Sequence, residues 1–258
     1  MTGAATEQPN AVAVARAFRT LHQNGFVPDY EKLLESAYRR ILKPGSIVVE
    51  AGAHEGRHLK VFRECVGDSG KIIAFEPLPH LYKALVAAYR SDPVVRLHDV
   101  ALGDRAGNET FRFFRNAPGF SGFKDRSVGM GLAPQIETFT VEVKLLDGMV
   151  HDLTALDYMK LDIEGAEISC LNGARATLAR LRPIVSVEFG EPSYKPFGLT
   201  GNALYEFASS AGFVITDLFG NAMLSQDTWQ AVCDCSYWDF FLVPREKLDD
   251  WQRSQAPI

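Results

Sequence analysis

The sequence predicts an α/β domain built on a mostly parallel sheet, and three observations support this fold class. Short runs rich in β-branched residues, among them "SIVVEAG" (46–52) and "KIIAFEP" (71–77), alternate with segments of helical periodicity. This alternation is typical of buried parallel strands with helices on both faces of the sheet. The length of 258 residues and the hydrophobic content of 47% suit one large domain with its own core.

The period of the apolar residues assigns the elements in chain order. Helices are expected over residues 11–23, 29–42, 56–65, 79–91, 166–181 and 201–212. Strands are expected over residues 46–52, 71–77, 94–102, 158–163, 183–189, 213–219 and 237–244. Because "KPGS" (43–46) breaks the chain after the second helix, we divide the sequence into three parts. These are an N-terminal helical segment (1–43), a main domain (44–245) and a C-terminal tail (246–258).

One region departs from the alternation of strands and helices. Residues 109–116 and 138–146 alternate apolar and polar positions with a period of two, which predicts an inserted pair of antiparallel strands. The segment between them is rich in glycine and has no periodicity. Long segments of this kind within a domain are usually functional or disordered, and we expect a lid on the substrate side of the protein.

Composition and charge argue against several classes of protein. The net charge is −5, the sequence pI is about 5.7, and no long run of Lys or Arg occurs. Since a phosphate-binding face needs a dense basic stripe, we expect no nucleic-acid partner. The first residues lack the basic start of a signal peptide, and no run approaches the ~18 apolar residues of a membrane span. The four cysteines fit neither a disulfide framework nor a zinc site, so we expect a cytoplasmic protein with no membrane association.

A glycine-containing turn follows the first strand. In "VVEAGAHEG" (48–56) the chain passes from a strand through Gly52, His54, Glu55 and Gly56 into a helix. Such a turn lets a ligand lie against backbone N–H groups. The dinucleotide fingerprint needs glycine where this chain has His54, because the pyrophosphate touches the backbone there. The turn therefore predicts ligand binding and argues against a dinucleotide.

The ends of the second and third strands predict a nucleoside site. Glu76 and Pro77 follow the turn by about 20 residues, where an acid can accept hydrogen bonds from both ribose hydroxyls. Asp99 and Val100 end the third strand, beside the expected position of an adenine edge. S-adenosylmethionine fits these features, since it has adenine, ribose and an amino-acid tail but no phosphate. The alternatives are that Glu76 only caps the next helix and that the third strand merely ends in a turn.

Three acids gather where a later strand turns into a helix. They are Asp162, Glu164 and Glu167 of "MKLDIEGAE" (159–167). If this strand lies beside the first one, the acids face the glycine turn across the crevice. A carboxylate there can offset the charge of a cationic cofactor, accept a proton from a hydroxyl or hold a metal ion. Stabilisation of the helix dipole is the alternative, and it suits Glu167 better than Asp162, which ends a buried strand.

Together these motifs resemble the FkbM family of S-adenosylmethionine-dependent methyltransferases. The resemblance rests on "MKLDIEGAE", "VVEAGAHEG", "AFEP", "VALGD" and "LLDG", and it covers residues 45–190 well. The family usually has Asp in place of Glu50 and often Asn in place of His54. Glu50 keeps the acid and can contact the methionine amino group. The resemblance implies a class I, Rossmann-like methyltransferase fold with a seven-stranded, mostly parallel sheet and an antiparallel last strand.

The resemblance also implies methyl transfer, most often to a hydroxyl of a sugar or other secondary metabolite, by in-line SN2 attack. The candidate catalytic residues are Asp162, Glu164 and His54, with Glu188 as a further candidate base. The expected cofactor-binding residues are Glu50, Gly52, His54, Glu55, Gly56, Glu76, Pro77, Asp99, Val100 and Asp162. The acids permit Mg²⁺, but no metal site is predicted.

Several alternatives stay open at this stage. N-methylation would use the same crevice without needing a strong base. A nicotinamide oxidoreductase is disfavoured by His54 and by the last apolar strand, and a catalytically silent domain by the retained acids Glu50, Glu76 and Asp162. The aromatic residues of 191–199 and 227–240 either line an acceptor site or pack in the core or in a dimer. The expected partner is a small hydroxylated molecule, and a homodimer is an alternative to a monomer.

Overall fold

A computed structural model describes residues 10–116, 121–124, 135–233, 235 and 237–256. The strands are β1 (Ile47–Ala51), β2 (Lys71–Phe75), β3 (Val95–His98), β4 (Ala101–Leu102), β5 (Gly107–Phe114), β6 (Ile136–Lys144), β7 (Tyr158–Leu161), β8 (Ile184–Glu188), β9 (Phe213–Thr216), β10 (Ala222–Met223) and β11 (Asp239–Pro244). The helices are α1 (Ala11–Gln23), α2 (Tyr30–Arg39), α3 (Arg57–Val66), α4 (Pro79–Tyr89), α5 (Leu146–Met149), α6 (Glu167–Asn172), α7 (Arg175–Leu181), α8 (Glu191–Tyr194), α9 (Asn202–Ala211), α10 (Gln226–Val232) and α11 (Leu248–Gln255).

The central sheet has the strand order β10-β9-β11-β8-β7-β1-β2-β3 within the described residues. β1 pairs in parallel with both β2 and β7, whereas β11 runs antiparallel between β8 and β9. The predicted parallel sheet with an antiparallel last strand is therefore confirmed. The sheet has eight strands instead of the expected seven, because the chain after β9 turns back at Gly220 and adds the short edge strand β10.

The prediction of a single strand over 94–102 was wrong. Its first half is β3, which pairs with β2, and its second half is β4, which pairs in parallel with β6 of a separate sheet. The inserted antiparallel pair is confirmed as β5 and β6, which together with β4 form this second sheet. Most of the expected lid, residues 117–120 and 125–134, lies outside the described residues. The short described piece 121–124 pairs with β5 through Gly122 and Arg112.

The expected helix over 166–181 is interrupted at Gly173, which separates α6 from α7. A Cβ atom on Gly173 would lie 2.0 Å from the carbonyl oxygen of Gly103, so the interruption lets two backbone segments pack together. Four helices were not predicted, namely α5, α8, α10 and α11. α11 lies in the segment interpreted as a tail, and its Trp251 is fully buried against Phe241 of the sheet.

Buried side chains of the strands alternate between two apolar layers, as the period of two demands. Val48 belongs to the layer formed with α2, α3 and α11, and Val49 to the layer under α7 and α9. Glu50 lies two residues after Val48 and therefore on the same face as α2 and α3. No helix in the described part of the chain is long and apolar enough to cross a bilayer.

Candidate active site

A cavity of about 280 Å³ lies at the carboxyl ends of β1, β2 and β7. Residues that follow these strands form its floor, and the walls come from α2, from the start of α3 and from β5. Ligands of open α/β sheets bind at this edge, where the strand order reverses. The pairing of β1 with β7 confirms the expected strand order, and it brings the glycine turn and the acidic cluster to one cavity.

The turn after β1 is shaped by close backbone packing. Gly52 has a φ of +84°, and a Cβ atom on it would lie 1.9 Å from the carbonyl oxygen of Asp162. Glycine is thus required at position 52 for the close contact with the loop after β7. His54 is also left-handed, with a φ of 48°, and its backbone N–H donates to Glu76. His54 is an exposed residue. Gly56 is the N-cap residue of α3 and does not line the cavity.

Glu76 is a buried acid held by backbone donors. One carboxylate oxygen accepts the N–H of His54 at 2.8 Å and the other accepts the N–H of Leu78 at 2.9 Å. Burial raises the pKa of Glu76, and these two hydrogen bonds offset only part of the rise. Glu76 and Pro77 both line the cavity. The acid therefore fastens the turn after β1 to the loop after β2 while it faces the site, but it does not cap α4, because the N–H of Leu78 precedes that helix.

Apolar side chains surround the cavity beside Glu76. Phe111 and Phe113 of β5 lie opposite the segment that holds Val100 and Leu102. We call this part of the cavity, together with Glu76, the apolar end. A slot of this kind suits a flat ring such as a nucleobase. Asp99 is exposed and lies outside the lining of the cavity, so its expected contact with a ligand stays a prediction.

Glu50 and Lys160 are register partners on β1 and β7, and both side chains are almost fully buried. Burial raises the pKa of Glu50 to about 8, although the charge of Lys160 opposes the rise. Within the described part of the chain, Oε2 of Glu50 has no hydrogen-bond partner. Because an unpaired buried polar atom costs about 1–3 kcal/mol, the position calls for a donor from a bound ligand.

Asp162 and Glu188 form a coupled pair of carboxyl groups at the ends of β7 and β8. Oδ2 of Asp162 accepts a hydrogen bond from Nζ of Lys160 at 2.8 Å. Burial raises the pKa of Asp162. The charge of Lys160 and hydrogen bonds from Lys160 and Glu188 lower it by more, so that the net shift of the pKa is downward. Burial and the charge of Asp162 raise the pKa of Glu188 well above its ordinary value. The two shifts run in opposite directions, so Asp162 ionises more readily than Glu188.

The loop after β7 is tightly folded around a third acid. Glu167 is buried, and one of its oxygens accepts the N–H groups of Ile163 and Gly165 at 3.0 Å and 3.1 Å. This bonding makes Glu167 a structural residue, in keeping with the alternative considered for it. Glu164 has a left-handed backbone, with a φ of 58°, and lines the cavity.

The acids at this side of the cavity are close enough to share a cation. Asp162, Glu164 and Glu188 each place one carboxylate oxygen within 4.8 Å of the other two. Asp239 lies opposite Glu188 in the pairing of β11 with β8, and burial and the charge of Asp162 raise its pKa to about 7. We call these four acids and Lys160 the acidic end of the cavity. Hydrated Mg²⁺ binds through one or two carboxylates, so suitable ligands are present.

The structure brings together most of the residues predicted for the site. The predicted residues that line the cavity are Glu50, Gly52, His54, Glu55, Glu76, Pro77, Val100, Asp162 and Glu164. Sequence reasoning missed Glu31, Arg57, His58, Lys160, Phe111 and Phe113, which also line it. The alternate positions of Phe111 and Phe113 on one strand face were a usable signal. Of the aromatic candidates for an acceptor site, Tyr194 and Trp229 are buried in the core, whereas Trp238 is partly exposed.

Comparison with known proteins gives the following matches. Residues 50–216 match the family model described as the methyltransferase FkbM domain. A solved FkbM methyltransferase from Methylobacillus flagellatus is 16% identical, with a TM-score of 0.49 over 88% of this chain; the present chain spans 58% of its length. Fibrillarin from Aeropyrum pernix, solved with natively bound S-adenosyl-L-methionine, is 13% identical, with a TM-score of 0.44 over 81% of this chain and 74% of its own. No protein among the curated ones searched matches the chain.

Proposed function

Because the chain belongs to the FkbM methyltransferase domain family, and is thus an S-adenosylmethionine-dependent methyltransferase, we propose that it methylates a hydroxyl group on a small molecule. One observation carries the proposal. The Asp162–Glu188 pair holds an ionised carboxylate, on Asp162, at the wall of a cavity that sits where ligands of this fold bind. A base in that position is what a hydroxyl acceptor needs and an amine acceptor does not.

The residues present fit S-adenosylmethionine. The unpaired Oε2 of Glu50 is suited to accept a hydrogen bond from the ammonium group of the methionine part. Glu76 faces the cavity beside Phe111 and Phe113, which suits a ribose next to an adenine ring. When bound, the cofactor supplies a methyl group activated by a positively charged sulfur atom.

The chain's own residues then have separate tasks in the transfer. As the acceptor oxygen takes up the methyl group, Asp162 would accept the proton that leaves that oxygen. Lys160 keeps Asp162 ionised before the reaction and in place during it. The cavity walls hold the reacting atoms in line, and such positioning supplies much of the rate enhancement.

A small molecule is the acceptor that the site supports best. The cavity of about 280 Å³ is a concave site of the scale that small ligands use. The net charge of −5 disfavours a nucleic acid. A cytoplasmic location and a soluble acceptor such as a sugar remain our predictions, as does the possibility of a homodimer.

N-methylation is the second candidate function, and one observation favours it. The acidic end has four carboxyl groups around a single buried ammonium, Lys160, which would attract a protonated amine. The amine would have to lose its proton before attack, and Asp162 could again accept it.

The proposal can be tested by a transfer assay with methyl-labelled S-adenosylmethionine. Purified protein is offered a panel of sugars, phenols and amines, each with and without Mg²⁺, and labelled product is identified. We expect label on an oxygen atom, with loss of transfer in Asp162→Asn and normal transfer in the matched control Asp152→Asn, an exposed position outside the cavity. Label on nitrogen would replace the proposal by the second candidate. Full activity of Asp162→Asn would overturn the assigned base.

A further inference from the structure

Two side chains of opposite charge lie on the wall of the cavity, and no role in the proposed transfer is assigned to them. Glu31 comes from α2, in the N-terminal helical segment (1–43), and Arg57 is the first residue of α3. Arg57 lies 3.6 Å from Asp29, the residue that caps the start of α2 two positions before Glu31. A negative and a positive group thus reach the same cavity from the adjoining ends of two helices.

Glu31 is held in place by a chain of buried hydrogen bonds. Its Oε2 lies 2.6 Å from Nε2 of His58, and Nδ1 of His58 lies 2.9 Å from the hydroxyl of Tyr38. The hydroxyl donates to Nδ1, so that Nε2–H donates to the carboxylate. His58 and Tyr38 are buried. Both ring nitrogens are therefore occupied, which makes His58 a positioning residue and leaves Oε1 of Glu31 for a ligand.

The electrostatic surroundings place Glu31 at the acidic end of the cavity. The charges of Lys160 and Asp162 both act on Glu31, and that of Glu31 acts on Asp239. A ligand whose ring occupies the apolar end would present its other part toward Glu31, Arg57 and the unpaired Glu50.

We propose that Glu31 and Arg57 bind the amino-acid tail of the cofactor, Glu31 its ammonium group and Arg57 its carboxylate. The tail is a zwitterion, and the two side chains offer one matching partner for each of its charges. This inference rests on the proposed use of S-adenosylmethionine. It makes the N-terminal helix α2 a part of the cofactor site.

The test compares two neutral-sulfur ligands that differ only in the tail. S-adenosylhomocysteine carries the amino-acid tail, and 5′-methylthioadenosine lacks it. Calorimetric titrations use the full-length protein and the variants Glu31→Gln and Arg57→Gln. The matched controls are Glu35→Gln, one turn further along α2, and Lys60→Gln, on the exposed face of α3. Gln can still accept the hydrogen bond from His58, so Glu31→Gln removes the charge with little change in shape.

We expect each cavity variant to weaken S-adenosylhomocysteine binding by about 10- to 100-fold. Binding of 5′-methylthioadenosine should change by less than about threefold, and both controls should bind as the wild type does. Tyr38→Phe should weaken S-adenosylhomocysteine alone, and by less than Glu31→Gln, because it loosens His58 without removing the charge.

Two results would overturn the inference and leave the cofactor assignment intact. One is wild-type affinity of Glu31→Gln and Arg57→Gln for S-adenosylhomocysteine. The other is an equal loss for both ligands, which would show a structural effect on the whole cavity. If the wild-type protein binds neither ligand, the cofactor assignment fails and the inference fails with it.

Discussion

The apolar end and the acidic end of the cavity each hold an acid in place, but they do so with different hydrogen-bond partners. Each has an acid just after a parallel strand, the buried Glu76 after β2 and the partly exposed Asp162 after β7. Glu76 is bonded to two backbone N–H groups, whereas Asp162 is bonded to the charged Lys160 and to the titrating Glu188. Backbone donors keep their protons at any pH, but side-chain partners exchange theirs. The apolar end is therefore suited to hold a ligand rigidly, and the acidic end to move a proton.

The largest effect is expected from a substitution that disrupts the backbone contact between the turn after β1 and the loop after β7. In Gly52→Ala the new Cβ atom would collide with the carbonyl oxygen of Asp162, at a φ that side chains disfavour. We expect a loss of about 4 kcal/mol or more in the free energy of unfolding, measured by denaturant titration. Gly25→Ala is the matched control, because Gly25 has a φ of +80° with nothing within 4 Å. A loss of about 1 kcal/mol in both variants would show that backbone strain alone matters.

At the acidic end, Asp162→Asn should lower methyl transfer by about 10³-fold at any pH, because Asn cannot accept the proton. Cofactor affinity, measured with S-adenosylhomocysteine, should change far less. Stability should fall as well, since Lys160 stays buried without its charged partner. A normal transfer rate in a stable Asp162→Asn protein would show that the two ends do not differ in the way described here.

At the apolar end, Glu76→Ala should lower the free energy of unfolding by about 2 kcal/mol, since two buried N–H groups lose their acceptor. The same change should weaken binding of 5′-methylthioadenosine, which calorimetry can measure. Glu76→Gln keeps one acceptor oxygen and should lose about half as much. Equal stability of all three proteins would contradict the role of Glu76 as a clamp between two loops.

An effect that vanishes at low pH is expected for Glu50, which lies between the two ends. Its pKa is raised to about 8 in the folded state, so folding favours the protonated form. The stability that this group contributes is complete below the unfolded pKa and is lost as the pH rises through about 8. Without ligand, Glu50→Gln should therefore match the wild type near pH 4. At pH 8 it should be more stable by up to about 4 kcal/mol in denaturant titrations, despite weaker cofactor binding. A wild-type advantage at pH 8 would contradict the raised pKa.

Much of the fold could be predicted because it depends on local pattern. The apolar runs of β1, β2, β7 and β8 and the helical spacing of α2 and α9 specify these elements without knowledge of their neighbours. The strand over 94–102 failed because one apolar run serves two sheets, and its break at Asp99 and Val100 has no local turn signal. The prediction of one continuous helix over 166–181 failed for a related reason, since the interruption at Gly173 depends on contact with a distant segment.

The candidate site divides in the same way. Glu50, Glu76 and Asp162 were found because each ends a strand, and strand ends in a parallel sheet meet at one edge. Phe111 and Phe113 were missed because the inserted sheet folds over that edge from elsewhere in the chain. Phe113 lines the cavity because of the way in which the second sheet packs. This packing cannot be predicted from the spacing of residues in the sequence.

The sequence by itself determined the sheet, the place of the crevice within it and the acids along its edge, because periodicity and strand ends are local properties. Only the tertiary structure decided which charges act together. The electrostatic coupling of Asp162 with Glu188, the support of Glu31 by His58 and the contact of Gly52 with Asp162 each join segments remote in the chain. Electrostatic and packing energies depend on distance and burial, and these are fixed only when the strands and helices have found their neighbours.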